Sequence, residues 1–405
     1  MNPEMEKYFA TNKIFLSRIG GWPYQRKVLK ILIPCLFLMV YYSTVVTQVL
    51  LLYDTWGDIN VVVECIITLT SLFVACIKLI NITVNNNKFR RLLQLMNKHW
   101  ELFNSEHERH ILRYYATIGQ KITSYFAVYF ATVVIFYLVI PLLPRILDIV
   151  IPLNESRPLA YVYQAEYRVD KEKYYYPIII HSYITSTMTG VILFTVDSTY
   201  IVCVLHACSL FTAVSQCLEN IIGDANITPD DDGTIHSGTQ YHLEIYMEKH
   251  GNDYRELMIC LKKHQHALEQ VETLNSMFTQ ATFILLFLNV LILSVCGIQL
   301  INNLANTGEV IRYTFITWAS FTHLICMCIP GQLIIDRSTE IFDKAYSSAW
   351  HTFSIKTRTL LRILLYRSLT PCTLTAGKMF VMSMTMCSSV MQTAMSYFTA
   401  FLSVR

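Results

Sequence analysis

The feature that most restricts this chain is a set of long stretches without a charged side chain. Ile31–Tyr53, Ile122–Pro144, Pro177–Val196, Thr273–Gly308, Tyr313–Ile335 and Met379–Val404 contain no Asp, Glu, Lys or Arg. A further stretch, Val61–Thr83, is apolar apart from Glu64 near one end and Lys78 near the other. The hydrocarbon layer of a bilayer is about 30 Å thick and a helix rises about 1.5 Å per residue, so roughly 20 apolar residues cross it. Lipid offers no partner to an open backbone, so each crossing must be helical. The sequence therefore predicts an all-α membrane protein with seven spans, near 31–53, 61–83, 122–144, 177–203, 278–301, 313–335 and 379–402.

Composition agrees: hydrophobic residues are 53% of the 405 and charged residues 15%, against about 25% charged in a soluble domain. The net charge of +3 is too small to point to nucleic acid. The first 30 residues are polar and basic and the first apolar run is of spanning length, so no cleavable signal peptide is expected.

The basic residues give an orientation. Six precede span 1, seven lie between spans 2 and 3, four between spans 4 and 5, and seven between spans 6 and 7. The opposite side holds seven, five of them (Arg145, Arg157, Arg168, Lys171 and Lys173) in one loop that is balanced by acids. The positive-inside rule then puts the N-terminus in the cytosol and the C-terminus outside. A G-protein-coupled receptor runs the other way, and its Asp-Arg-Tyr and Asn-Pro-x-x-Tyr signatures are missing from spans 3 and 7. In this orientation Asn154, in Asn154-Glu155-Ser156, is the outward glycosylation acceptor. No cysteine falls in an outer loop, so no outer disulfide is expected.

Three cytosolic stretches carry apolar stripes at helical spacing. They are Phe89, Leu92, Leu93, Met96, Trp100 and Phe103; Leu257, Leu261, His264, Leu268, Val271, Asn275 and Phe278; and Ile341, Phe342, Ala345, Tyr346, Ala349 and Phe353. Helices over about 204–222, 241–277 and 336–370 are expected to carry spans 4, 5 and 6 beyond the bilayer. Their stripes either pack within one subunit or form a subunit interface. Gly223–Gln240 reads as a polar linker.

Enzyme chemistry is not evident. The chain has no P-loop, dinucleotide-binding turn, metalloprotease helix or Cys-x-x-Cys pair. No cofactor or metal is expected, and His264-Gln265-His266 and Cys326-Met327-Cys328 read as packing. Span 7 is distinctive, because Ser389, Gln392, Thr393, Ser396, Thr399 and Ser403 make one polar stripe. Such a stripe must meet another helix or water. Repeated around a ring of subunits it could line a pore, with Ala400 and Val404 as a constriction. Glu64 and Asp197 could pair, line a cavity or sit near an interface; Glu64 is close enough to the outer end to be wet, Lys78 can snorkel to the cytosolic surface, and Asp197 is assigned no role.

The outer halves of spans 2, 3, 4 and 6 mix large apolar side chains with hydroxyls. Thr68, Leu72 and Phe73, Val134, Tyr137 and Leu138, Thr187, Met188 and Val191, and Phe315, Trp318, Ala319 and Thr322 either pack the bundle or line a cavity for a small, mostly apolar molecule.

The C-terminal third resembles the insect odorant receptors, in particular the expanded set of wasps, bees and ants. The residues that carry this are Ala345-Tyr346-Ser347-Ser348-Ala349-Trp350, Arg367-Ser368 with Pro371, Leu374-Thr375-Ala376-Gly377-Lys378-Met379-Phe380 and Ser396-Tyr397-Phe398; His264, Leu268 and Glu272 fit as well. The resemblance implies an odorant-tuning subunit of a ligand-gated, non-selective cation channel, assembled as a heterotetramer with a shared co-receptor. It implies a place in the plasma membrane of a sensory neuron's dendrite, in contact with lipid. Span 7 would line the pore, with Gln392, Ser396, Ala400, Ser403 and Val404 along the pore and gate, and the cytosolic helices would form the anchor between subunits. The co-receptor has Val, Gln and Leu at the gate positions, so Ala400 and Ser403 are departures. A gustatory receptor, the related alternative, ends with Thr-Tyr and then Gln-Phe, where this chain has Ser396-Tyr397 and Ser403-Val404.

Overall fold

The structure, a computed structural model, describes residues 2–151, 159–225, 239–302, 304, 307–348 and 350–403, with backbone alone at 136, 137, 140, 222–225, 239–250, 307, 309, 401 and 402. Asn154, Ala349, Val404 and most of the polar linker lie outside the described residues.

Eleven helices are described: α1 (Pro3–Arg18), α2 (Lys27–Asp54), α3 (Ile59–Val84), α4 (Asn86–Leu102), α5 (Glu106–Val139), α6 (Leu143–Val150), α7 (Tyr175–Ala225), α8 (Thr239–Asn302), α9 (Thr307–Tyr346), α10 (Ile355–Ser368) and α11 (Met384–Ser403). Within α2, α3, α5, α7, α8 and α9 lie six segments long and apolar enough to cross a bilayer. The 20-residue α11 is not among them; its run of hydroxyls and Gln392 lowers its hydropathy.

At 51 and 64 residues, α7 and α8 are far longer than a bilayer needs. Their length follows from charge-free or apolar-striped sequence that continues past each expected span. α7 is the innermost helix and packs against α5, α9, α8 and α3. Its buried residues from Ile192 to Val214 point in every direction around the axis.

One end of the molecule is broad. There α1, α4, α10, the last part of α7, the first part of α8 and the end of α9 share a core. The stripe on α4 is wholly buried inside this one chain, as are Leu257, His264, Val271 and Phe278 of α8. Packing within the subunit therefore accounts for these two stripes. The third stripe is interrupted: α9 ends at Tyr346, a short 3-10 turn follows at Trp350–Thr352, and α10 starts behind Ser354, whose hydroxyl caps Thr357 N. Ile341, Ala345 and Phe353 are buried, while Tyr346 and Trp350 are exposed.

Two span boundaries differ from expectation. α5 ends at Val139 rather than near 144, because Pro141 and Pro144 break the hydrogen-bond ladder and leave a 3-10 turn and the short α6. α11 begins at Met384 rather than 379, because the preceding residues form a β-hairpin of Thr375–Ala376 with Phe380–Val381. Its turn uses positive φ at Gly377 (63°) and Lys378 (60°), and the glycine's missing Cβ leaves room for the Phe283 ring. Gly377 N donates to Thr279 O at 2.8 Å and Thr375 N to Asn275 Oδ1 at 2.8 Å. Leu374-Thr375-Ala376-Gly377-Lys378 is therefore a clamp that fixes the start of α11 on α8.

Candidate functional site

A cavity of about 340 Å³ lies between α3, α5, α7, α8 and α9, at the lower end of the roughly 300–1,000 Å³ usual for small-molecule sites. Its middle is apolar, with Leu72, Phe130, Val134, Leu193, Leu285 and Ile316 in the wall. A Cβ on Gly190 would meet Val134 Cγ2 at 3.1 Å, so the glycine sets the close approach of α7 to α5 there. Hydroxyls interrupt the apolar surface, but Thr68, Ser71, Thr185 and Thr189 each donate to the carbonyl four residues back on the same helix.

One end is closed by residues 159–174. Gln48 Nε2 donates to Gln164 O at 2.8 Å, Glu166 N to Thr47 O at 3.2 Å, and Arg168 Nη2 to Asp54 Oδ1 at 2.8 Å. The segment is thus bound back onto α2, and Tyr163 enters the cavity wall. Burial there pushes the Tyr163 phenol up. Beside it Glu64 Oε1 accepts from Arg312 Nη2 at 2.5 Å and from Gln164 N at 3.1 Å.

The opposite end holds a second charged group. Lys78, fully buried, donates to Asp197 Oδ1 and, at 2.8 Å, to His323 Nε2. An ammonium can only donate, so Nε2 is the acceptor and the ring proton sits on Nδ1. The expectation that Lys78 snorkels is corrected: Asp197 and His323 satisfy its charge inside the bundle, so it need not reach the surface. Of the alternatives open for Glu64 and Asp197, the structure shows both lining the cavity, Glu64 buried.

Of the thirteen residues expected around a ligand, Thr68, Leu72, Val134, Ala319 and Thr322 line this cavity. Phe73, Phe315 and Trp318 point away from it and are more than half exposed. On α7 the cavity face is Thr185, Ser186, Thr189, Gly190, Leu193 and Asp197. Thr187, Met188 and Val191 lie on the faces beside it, because an i, i+4 set started at 185 or 186 turns away from them. Leu138 is outside the lining, and the side chain of Tyr137 is outside the described residues. Sequence reasoning missed α8 (Leu285, Asn289 and Ile292), the α5 aromatics Phe126, Tyr129 and Phe130, Tyr163, and Arg312 and His323 at the two ends.

The expected pore residues form the second candidate region. Gln392, Ser396, Ala400 and Ser403 are all exposed along one face of α11. The other face, with Cys387, Val390 and Ala394, is buried against α8 and α9. Gly297 admits the Phe398 ring, which a Cβ would meet at 3.1 Å. Ser389, Thr393, Ser396, Thr399 and Ser403 all donate to carbonyls of α11 itself. The polar stripe bonds no other helix among the described residues, so packing within this chain does not account for it.

No His, Cys, Asp and Glu group suited to a metal occurs among the described residues, and all twelve cysteines are free thiols.

Comparison with known proteins adds relatives. Residues 58–395 match the family described as 7tm odorant receptor. The chain is 25% identical over 166 residues to odorant receptor Or2 of Anopheles gambiae, covering 40% of this chain and 42% of that receptor. It is 23% identical over 206 residues to odorant receptor 22c of Drosophila melanogaster, covering 50% and 47%. The matched stretches span less than half the length of these two receptors. In fold, the chain is similar to the insect olfactory receptor OR5 of Machilis hrabei in complex with eugenol, with a TM-score of 0.75 at 15% identity over 99% of this chain and 98% of that one. It is also similar to the same receptor described without eugenol, with a TM-score of 0.72 at 16% identity over 99% of both chains.

Proposed function

This chain belongs to the 7tm odorant receptor family, and on that premise we propose that it is the odorant-binding subunit of a ligand-gated, non-selective cation channel in the plasma membrane. It spans the membrane seven times, with α11 as the seventh span. The N-terminus and the broad end of the molecule are cytosolic, and residues 159–174 are outside. The family is one of receptors and channels rather than enzymes.

The observation that carries this reading is the cavity. It is apolar in its middle, sits among helices of the bundle and is roofed by a bound-back loop. Such a space suits a small, mostly apolar volatile by shape and dispersion. The ligand opens the channel only to the extent that it binds the open arrangement better than the closed one.

The exposed polar stripe of α11 supports assembly. Facing lipid it would be unfavourable, whereas in a ring of subunits it faces a water-filled path. Exposed Tyr346, Ile355 and Tyr366 at the broad end offer apolar surface for a neighbouring subunit, the co-receptor of a heterotetramer. The test is expression with and without an insect odorant co-receptor while volatiles are scanned for cation current. Current that needs this chain and a ligand supports the reading; currents identical without this chain reject it.

A further inference from the structure

We propose that the ligand class this cavity selects is the alcohols, with the ligand's hydroxyl seated between Asp197 and His323. This rests on the reading of the cavity as the odorant site and names what that site prefers.

Each end of the cavity carries a carboxylate with one oxygen already bonded, and the end at Asp197 also carries a ring donor. At the roofed end, one carboxylate oxygen of Glu64 already takes both Arg312 and the backbone of Gln164. At the other end Lys78 occupies one oxygen of Asp197 and Nε2 of His323. That fixes the ring proton on Nδ1 and leaves a donor. It also leaves Asp197 Oδ2, which is 4.0 Å from His323 Nε2, as an acceptor. Among the described residues, neither Nδ1 nor Oδ2 makes a hydrogen bond. Both side chains line the cavity and keep 12% (Asp197) and 18% (His323) of their surface.

One donor and one acceptor therefore stand at the end of an apolar chamber. A hydroxyl serves both, because its oxygen accepts from Nδ1–H and its proton goes to the carboxylate. An ether, ester or aldehyde can meet only the donor and leaves the carboxylate oxygen desolvated without a partner. A protonated amine would face both Nδ1–H and the Lys78 charge. Thr68, Ser71, Thr185 and Thr189 have given their protons to their own helices; Tyr163 at the roofed end and Asn289 keep an unpaired polar atom, but neither sets a donor beside a charged acceptor as Asp197 and His323 do.

Octanol and methyl heptyl ether are isomers and differ in the hydroxyl alone. The full chain, expressed with and without an insect odorant co-receptor, is tested with each by cation current and by the thermal aggregation point of the chain in its membranes. Octanol is expected to act at a concentration at least about tenfold lower than the ether on either readout, the worth of a hydrogen bond to a charged group. Lys78→Met with Asp197→Asn removes both charges together and is expected to bring the two isomers within about threefold of each other, because the carboxylate that only octanol can meet is lost. His323→Phe removes the donor that both isomers use and is expected to weaken both while the gap between them stays. Equal action of the isomers on the unaltered chain overturns the proposal, and so does octanol moving neither readout. Selective stabilisation by octanol with no current under any condition upholds the site and rejects the channel reading instead.

Discussion

Arg312, at the start of α9, donates to Glu64 of α3 across 2.5 Å, and the same carboxylate oxygen receives the backbone N–H of Gln164 from the segment that roofs the cavity. One buried acid thus joins two helices and the roof. The Glu64 side chain is 9% exposed and that of Arg312 is 32% exposed. Screening of the arginine keeps the pair below the roughly 3–5 kcal/mol of a fully buried one. Glu64→Ala is expected to destabilise the protein by about 1–3 kcal/mol, since it removes the acceptor of the Gln164 N–H and the ion pair with Arg312. Arg312→Ala should cost at least as much, because it leaves the buried Glu64 charge with the Gln164 N–H alone. A double-mutant cycle read by thermal unfolding checks the coupling, which should clearly exceed the noise of about 0.5 kcal/mol for independent sites.

Ala319 and Trp318 are neighbours on α9 with opposite fates. Ala319 lines the cavity, whereas Trp318 is on the outer surface. Ala319→Phe should fill part of the 340 Å³ and weaken every ligand by about tenfold or more, since overpacking costs about 1–3 kcal/mol. Trp318→Ala should leave ligand potency unchanged. Dose–response curves for both variants, normalised to surface expression, decide it.

His99 of α4 is fully buried, and its ring stacks on His206 and meets His266 edge-on, with Nδ1 3.3 Å from His206 Nε2. Burial first, and then these neighbours and Lys98, push its pKa down from 6.5 to about 2. The folded protein therefore keeps this ring neutral, while the unfolded chain takes up a proton near pH 6.5. The unfolded state binds more protons below that value, so the stability due to His99 is intact above about pH 7 and falls as the pH drops. The expected slope is about 1.4 kcal/mol per pH unit below 6.5. Thermal unfolding between pH 7.5 and 5, compared with His99→Phe, should show a steeper decline in the unaltered chain.

Gly331 of α9 lies against the strand that leads into α11. A Cβ there would stand 2.2 Å from the Met382 carbonyl oxygen, a backbone atom that cannot swing aside. Gly331→Ala is expected to cost about 1–3 kcal/mol and to shift the start of α11. Surface expression and ligand-gated current should both fall, while Gly251→Ala, where nothing lies within 4 Å, should change neither.

Helices were legible where local physics decides them. The α4 stripe follows the i, i+3, i+4 rule, and each residue named in it is buried. The extension of α7 and α8 could be read from sequence that stays apolar or periodic beyond span length. The cavity was half legible. Thr68 and Leu72 were found because α3 has a distinct polar–apolar mix. The face of α7 was missed, because hydroxyl and apolar side chains alternate on every side of 182–193 and periodicity marks no face. Phe315 and Trp318 mislead because large aromatics suit a lipid-facing surface as well as a pocket. Lys78, Asp197 and His323 are separated by 119 and 245 positions along the chain, so no local pattern could join them. A charge inside a span signals only that a partner exists.

The central claim is that α11 lines a shared conduction path opened by a ligand. Ser396→Cys, expressed with a co-receptor and exposed to a charged thiol-modifying reagent during ligand application, tests it most directly. The account expects lasting block of the current in this variant, with no block of the unaltered chain, whose twelve cysteines are mostly buried, or of Trp318→Cys. A ligand-gated current that the reagent leaves untouched in Ser396→Cys, and equally in Gln392→Cys and Ala400→Cys, would contradict it.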